Sequence, residues 1–246
     1  SQLFEVGEAG GLPRKLAVPY SGFAAVSPSG EWLAYTPHST DNRTWKRYRG
    51  GMATEIWLFN LKDNSAKKIT DWEGTDTIPM WIPGSDGAKV YFLSDKGQEH
   101  RLNLWSYEVA TASLTQVTRY TDFDIRWPSV GPGTDGKGEF VFQLGSELRL
   151  FSVGSGTDFV VKVTIPGDRP SIRTRVVDGS KNIESASISP TGKRVAVEGR
   201  GDIYSVPAKE GVTRNFTRTD GVFERDVAWS PDGRWIAYFS DETGEY

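Results

Sequence analysis

The chain has 246 residues, enough for one large all-β domain or two ordinary ones, and in either case for a sizeable core. Its 32 acidic and 29 basic side chains leave a net charge of -3, which excludes a general attraction to nucleic acid or to anionic lipid. The absence of cysteine excludes disulfides, thiolate metal sites and a cysteine nucleophile, and suits a reducing, cytoplasmic setting.

The first segment, SQLFEVGEAGG, has neither the basic region nor the apolar region of a signal peptide, and no apolar run approaches the roughly 18 residues of a membrane span. Ser1 is not a natural start, so the chain reads as a fragment of a longer protein. From here the sequence is punctuated by short apolar and aromatic runs, the kind that pack on a pleated, buried surface. In order they are QLFEV (2–6), RKLAVP (14–19), GFAAVS (22–27), SPSGEWLAY (27–35), EIWLFNL (55–61) and KKITDW (67–72). SDGAKVYFL (85–93), NLWSYEV (103–109), TQVTRY (115–120), TDGKGEFVF (134–142), ELRLFSV (147–153) and VKVTIP (161–166) follow. IESASIS (183–189), SPTGKRVAV (189–197), DIYSVPA (202–208), RNFTRT (214–219), ERDVAWS (224–230) and SPDGRWIAY (230–238) complete the series.

Three of these motifs recur five times each in one fixed order: a tight turn running into a strand, a second strand, and a third strand. With the strand before each turn they make a four-stranded unit of about 40–50 residues, the blade of a β-propeller. A sandwich of twelve or more strands has no reason to repeat one order five times. The expected fold is therefore all-β, a propeller of five four-stranded blades over residues 1–246 as a single domain. Because the chain ends on a turn-and-strand motif, residues 2–6 are expected to complete the C-terminal blade, with Leu3 and Phe4 closing the ring. The closed ring implies a monomer, and an open one a swapped oligomer.

A search for catalysis finds little. His38 and His100 stand alone, without the spacing of a metal site or a partner for acid–base work, and no G-x-S-x-G elbow is present. The Asp-Gly pairs at Asp86, Asp135 and Asp232 are turn chemistry. Asp122 and Asp124 fall on one face of a strand entering a blade, where capping of backbone amides is the ordinary use. No catalytic residue, metal site or cofactor is expected. Asn-x-Ser/Thr at Asn42 and Asn215 carries little weight without a secretion signal. One stretch stands apart. DNRTWKRYRGG concentrates Arg43, Lys46, Arg47 and Arg49, interleaved with Trp45 and Tyr48, in a chain otherwise slightly acidic. It reads either as a solvated inter-strand loop or as a loop anchored by its aromatics and able to bind an anion.

RTWKRYRGGMATEIWLFNL (43–61), TDTIPMWIPG (75–84), FLSD (92–95), NLWSYE (103–108), TDFDIRWPSVGPG (121–133) and IPGDRP (165–170) together resemble the N-terminal propeller of tricorn proteases. The wording of the repeats is similar to that of TolB-like, WD40-like propellers in general. The tricorn resemblance covers essentially the whole chain, and RYRGG before an Ile-Trp strand is its most specific part. That family's first propeller has six blades, which implies a further blade upstream of Ser1. The resemblance implies a non-catalytic propeller of a serine peptidase that guides peptides or products and docks the catalytic domains of its own chain. Peptides and those domains are the expected partners, with no nucleic acid or membrane. It also implies that Arg43, Lys46, Arg47 and Arg49 hold the C-terminal carboxylate of a peptide. Lys46 stands where an arginine pair is familiar in the family, so Arg47 carries the bidentate role. A stand-alone TolB-like scaffold for protein partners is the alternative function.

Overall fold

A computed structural model describes residues 2–40, 43–168, 170, 173, 175–244 and 246. Asn42 of the first Asn-x-Thr sequence and Arg169 of IPGDRP lie outside the described residues. Among those described, twenty strands and one short 3-10 turn, Gly179–Asn182, make the fold all-β. A two-stranded hairpin, β1 (Phe4–Glu5) and β2 (Arg14–Lys15), comes first. Four antiparallel sheets of four strands follow in chain order. They are β3 (Ala24–Val26), β4 (Trp32–Tyr35), β5 (Trp57–Asn60) and β6 (Ala66–Lys68); then β7 (Asp76–Met80), β8 (Lys89–Ser94), β9 (Asn103–Glu108) and β10 (Ser113–Gln116). Next are β11 (Ile125–Gly131), β12 (Glu139–Leu144), β13 (Glu147–Ser152) and β14 (Thr157–Val160), then β15 (Ile183–Ile188), β16 (Arg194–Gly199), β17 (Asp202–Pro207) and β18 (Arg214–Asn215). A second hairpin, β19 (Glu224–Trp229) and β20 (Ile236–Ser240), is the last.

The repeated wording folds the same way each time. In SPSG, SPTG and SPDG the Ser hydroxyl accepts the amide that opens the next strand, Trp32 on Ser27, Arg194 on Ser189 and Trp235 on Ser230, at 3.0, 3.1 and 3.0 Å. Gly30, Gly192 and Gly233 follow at φ 72°, 66° and 72°, a left-handed conformation that costs a side-chain-bearing residue about 1–2 kcal/mol. The Thr that closes the third motif has an equally regular task. Thr70, Thr118 and Thr217 each accept an amide of the preceding strand motif, from Ile56, Leu104 and Ile203 at 2.9, 2.9 and 3.2 Å.

Backbone proximity divides the chain into two compact units, Ser1–Val163 and Thr164–Tyr246. In the first, Leu16, Val18, Leu33, Tyr35 and Phe59 join the N-terminal hairpin to the first four-stranded sheet. Ala34, Ile56, Leu58 and Ile69 meet Trp81, Val90, Phe92 and Tyr107 between the first and second sheets. Met80, Tyr91, Leu93 and Leu104 meet Ile125, Phe140, Phe142 and Phe151 between the second and third. β8 is consequently buried on both faces over Val90–Ser94. In the second unit the core is Ala196, Ile203 and Val227, flanked by Trp229 and Ile236.

Residues 2–6 enter a sheet as the second strand motif does in each four-stranded unit, beside the third motif. β1 takes its partners from β2, Phe4 opposite Lys15 and Glu5 opposite Arg14, and the Arg14–Glu5 ion pair at 2.7 Å sits across that pairing. Leu3 packs on the Leu16 cluster, and its carbonyl accepts the Leu16 amide at 3.0 Å. The Gln2 side chain donates to the Leu16 and Val18 carbonyls at 3.1 and 2.9 Å. Phe4 is 57% exposed. A short loop brings β1 to β2 at small entropic cost. Of the fifth repeat, β1 and β2 form a two-stranded sheet in the first unit, and β19 and β20 form another in the second.

Candidate functional site

The basic loop leaves β4 and enters β5, wholly within the first unit. Its ends are held by close backbone packing. Gly22 lies against the peptide joining His38 to Ser39, where no side chain fits, and the Gly22 amide donates to the Thr36 carbonyl at 2.8 Å. Further on, Arg49 donates to the Asp95 carboxylate at 2.9 Å and lies over the Trp72 ring at 4.8 Å. The same carboxylate accepts the Trp72 indole N–H at 2.7 Å and the Thr75 amide at 2.9 Å. Asp95 is 3% exposed, so its charge is stabilised by one cation and two further donors. A Cβ at Gly74 would fall on the Arg49, Trp72 and Asp95 atoms that make this knot, which is why glycine stands there. Two motifs distant in sequence, RYRGG and FLSD, are thus halves of one clamp.

Between these ends the loop folds over a cavity of about 250 Å³. Arg43 donates to the Met52 carbonyl at 2.6 Å and stacks 4.6 Å from Trp45, whose ring lies 4.6 Å from Tyr48. Burial pulls Arg43 below its ordinary value, and it remains a cation. The Arg47 Nε donates to the His100 carbonyl at 2.8 Å, and Lys46 approaches Asp124 at 3.8 Å. Arg43, Lys46 and Arg47 line the cavity; Arg49 does not, being committed to the clamp. Arg126 and Trp127, adjacent on β11, complete the rim, and Ile78, Leu93, Leu102 and Ile125 form an apolar floor above the core of the second and third sheets.

The inner strands reach the cavity through β-bulges. The β7–β8 register shifts between Thr77 and Met80, and the β11–β12 register between Arg126 and Ser129. Ile78 and Trp127 sit in these bulges at φ 50° and 51°, and Arg47 adopts 52°. Three non-glycine residues in left-handed backbone therefore meet at one cavity, each costing on the order of 1–3 kcal/mol. A like bulge with Asp226 at φ 56° occurs in the second unit, so the device belongs to the repeat, while its use at a cavity belongs to this one. Sequence reading reached the loop cations but not Arg126, Trp127 or Ile78, because a bulge reorients side chains without leaving a mark in the alternation of residues.

Asp95 and Asp124 also line the cavity, and both carboxylates are already engaged. Asp124 accepts the Leu102 amide at 2.8 Å, the expected capping use, whereas Asp122 pairs with the Thr121 hydroxyl at 3.1 Å and lines a separate cleft. Among the described residues no group of three His, Asp or Glu side chains is placed to hold a metal. His38 stacks 6.0 Å from Tyr20, and His100 contributes its carbonyl to Arg47. Among the described residues no helix is long and apolar enough to cross a membrane.

The chain as a whole is similar to known proteins. Over 212 residues the chain is 29% identical to a Streptomyces coelicolor protein named tricorn protease homolog 2, covering 85% of this chain and 16% of that protein. It is 26% identical over 193 residues to a tricorn protease homolog of Saccharolobus solfataricus, covering 78% and 17%. The chain thus spans about a sixth of the length of these relatives. Its fold superposes on the crystal structure of the tricorn protease with a TM-score of 0.54 at 20% identity, over 96% of this chain and 21% of that one. The description of the tricorn protease N-terminal β-propeller domain matches residues 1–157, and the chain belongs to that family.

Proposed function

We propose that this propeller is the non-catalytic, peptide-guiding part of a tricorn-like serine peptidase, receiving peptides by their C-terminal carboxylate and docking the catalytic domains of the same chain. The observation that carries this reading is the cavity under the basic loop, where Arg43, Lys46, Arg47 and Arg126 outnumber the two carboxylates of the lining, Asp95 and Asp124, which are engaged by backbone amides, Arg49 and Lys46. Such a space attracts an anion no larger than a carboxylate head with one or two residues behind it. The Arg47 guanidinium, oriented through Nε by the His100 carbonyl, is the principal contact. Arg49 acts by holding the loop in place. In the full-length peptidase, Arg47→Ala is expected to raise KM for peptides with a free C-terminal carboxylate by a factor corresponding to about 1.5–3 kcal/mol. Amidated peptides should respond little. Equal responses of the acid and amide series would remove carboxylate capture, and peptide turnover by the isolated chain would overturn its non-catalytic assignment.

A further inference from the structure

Resting on the reading of the basic loop as a carboxylate-binding site, we infer that the same cavity selects the C-terminal residue of the bound peptide, taking a bulky apolar or aromatic side chain. The cavity has two chemically distinct parts. Its rim carries four cations, Arg43, Lys46, Arg47 and the exposed Arg126, against the carboxylates of Asp124 and Asp95, which Lys46 and Arg49 respectively engage. Its floor is hydrocarbon, from Ile78, Leu93, Leu102 and Ile125, with the indole of Trp127 as a side wall.

Leu93 and Ile125 are each 1% exposed and belong to the core beneath, so the floor is set by packing and does not adjust readily. Trp127 is 63% exposed, a large apolar surface left in water at the edge of the cavity and held there by a bulge in left-handed backbone. That combination has an energetic cost in the free protein, and covering the indole with an apolar side chain would recover apolar burial. At about 250 Å³ the space falls below the roughly 300–1,000 Å³ of pockets that enclose a drug-sized molecule, and it suits a single terminal residue. A carboxylate at the cationic rim places the Cα of that residue above the floor, so charge and side chain are read together.

The test uses the 246-residue chain and short peptides labelled at the N-terminus, ending in Phe, Leu, Ser or Gly, each as free acid and as amide, with affinity read by fluorescence anisotropy. Free acids ending in Phe or Leu should bind at least about tenfold more tightly than those ending in Gly. Trp127→Ala should compress that ratio toward one while keeping the preference for acid over amide, and Trp127→Phe should restore much of it. Arg47→Ala should instead reduce the acid-over-amide preference. Acids that bind better than amides with no dependence on the last side chain would overturn this inference and leave the carboxylate reading standing. Apolar selection that is the same for acids and amides would overturn the carboxylate reading and the inference with it. Circular dichroism of each variant separates loss of binding from loss of fold.

Discussion

Gly74 shows how a single residue fixes the geometry of a site it does not touch. It provides the space in which Arg49, Trp72 and Asp95 converge, and that knot holds the end of the basic loop. Gly74→Ala is expected to break the Arg49–Asp95 contact and destabilise the chain by about 1.5–3 kcal/mol, the range for a hydrogen bond to a charged group. Thermal unfolding and the emission of Trp72 and Trp45 would report it; an unchanged melting temperature would remove the clamp from the account. Asp76 poses a different residue-scale problem. It is 1% exposed, neither carboxylate oxygen meets a donor in hydrogen-bonding geometry, and burial pushes it up to about 7, with nearby Ser94 and Thr70 hydroxyls offsetting this only partly. The folded chain then holds a proton that the unfolded chain releases near pH 4, so stability falls as pH rises from about 4 to 7 and levels off above. Asp76→Asn should therefore gain on the parent across that window, by on the order of 4 kcal/mol at pH 8 and far less at pH 4.5. Denaturant midpoints at both pH values check it, and a gain independent of pH would mean that the Asp76 carboxyl titrates as an ordinary one.

At the scale of the element, the strand motifs are held in register by hydroxyl groups that do not lie on the ladder itself. Thr118 accepts the Leu104 amide and donates to the Asn103 side chain at 2.9 Å, while that same carbonyl oxygen accepts the Tyr120 amide at 2.7 Å. Thr217 repeats the pattern with longer bonds, 3.2 Å from the Ile203 amide and 3.3 Å to Asp202, in a half-buried place. Thr118→Val leaves the buried Leu104 amide without its acceptor and should cost about 1–3 kcal/mol, whereas Thr217→Val, where water can substitute, should cost less. Urea unfolding of the two variants measures the difference, and equal losses would mean that burial does not set the strength of the motif.

For the whole molecule, the distribution of apolar burial predicts where the structure opens first. The first unit has three successive buried clusters, with β8 buried on both faces; the second has one small cluster around Ala196, Ile203 and Val227, and β20 leaves Tyr238 44% and Phe239 57% exposed. Local stability follows the density of buried apolar contacts. Amide hydrogen exchange is therefore expected to be slowest in β8, β9 and β12 and fastest, among the longer strands, in β19 and β20. Uniform protection across the chain would contradict this ordering.

Much of this protein was legible in its sequence because the information was local and repeated. Ser-Pro-x-Gly demands a turn at each of its three occurrences, and Thr70, Thr118 and Thr217 each accept an amide from the same place, so the recurring motifs define the strand order without any long-range knowledge. The cationic loop was legible for the same reason, as a local excess of charge. What the sequence could not determine depends on which residues meet after folding. Arg49 and Asp95 are 46 positions apart, and only the packing of the first sheet on the second assigns Arg49 to structure while leaving Arg47 at the cavity. The bulges that bring Ile78, Arg126 and Trp127 to the same space are a compromise between strand pairing and sheet packing, invisible to alternation.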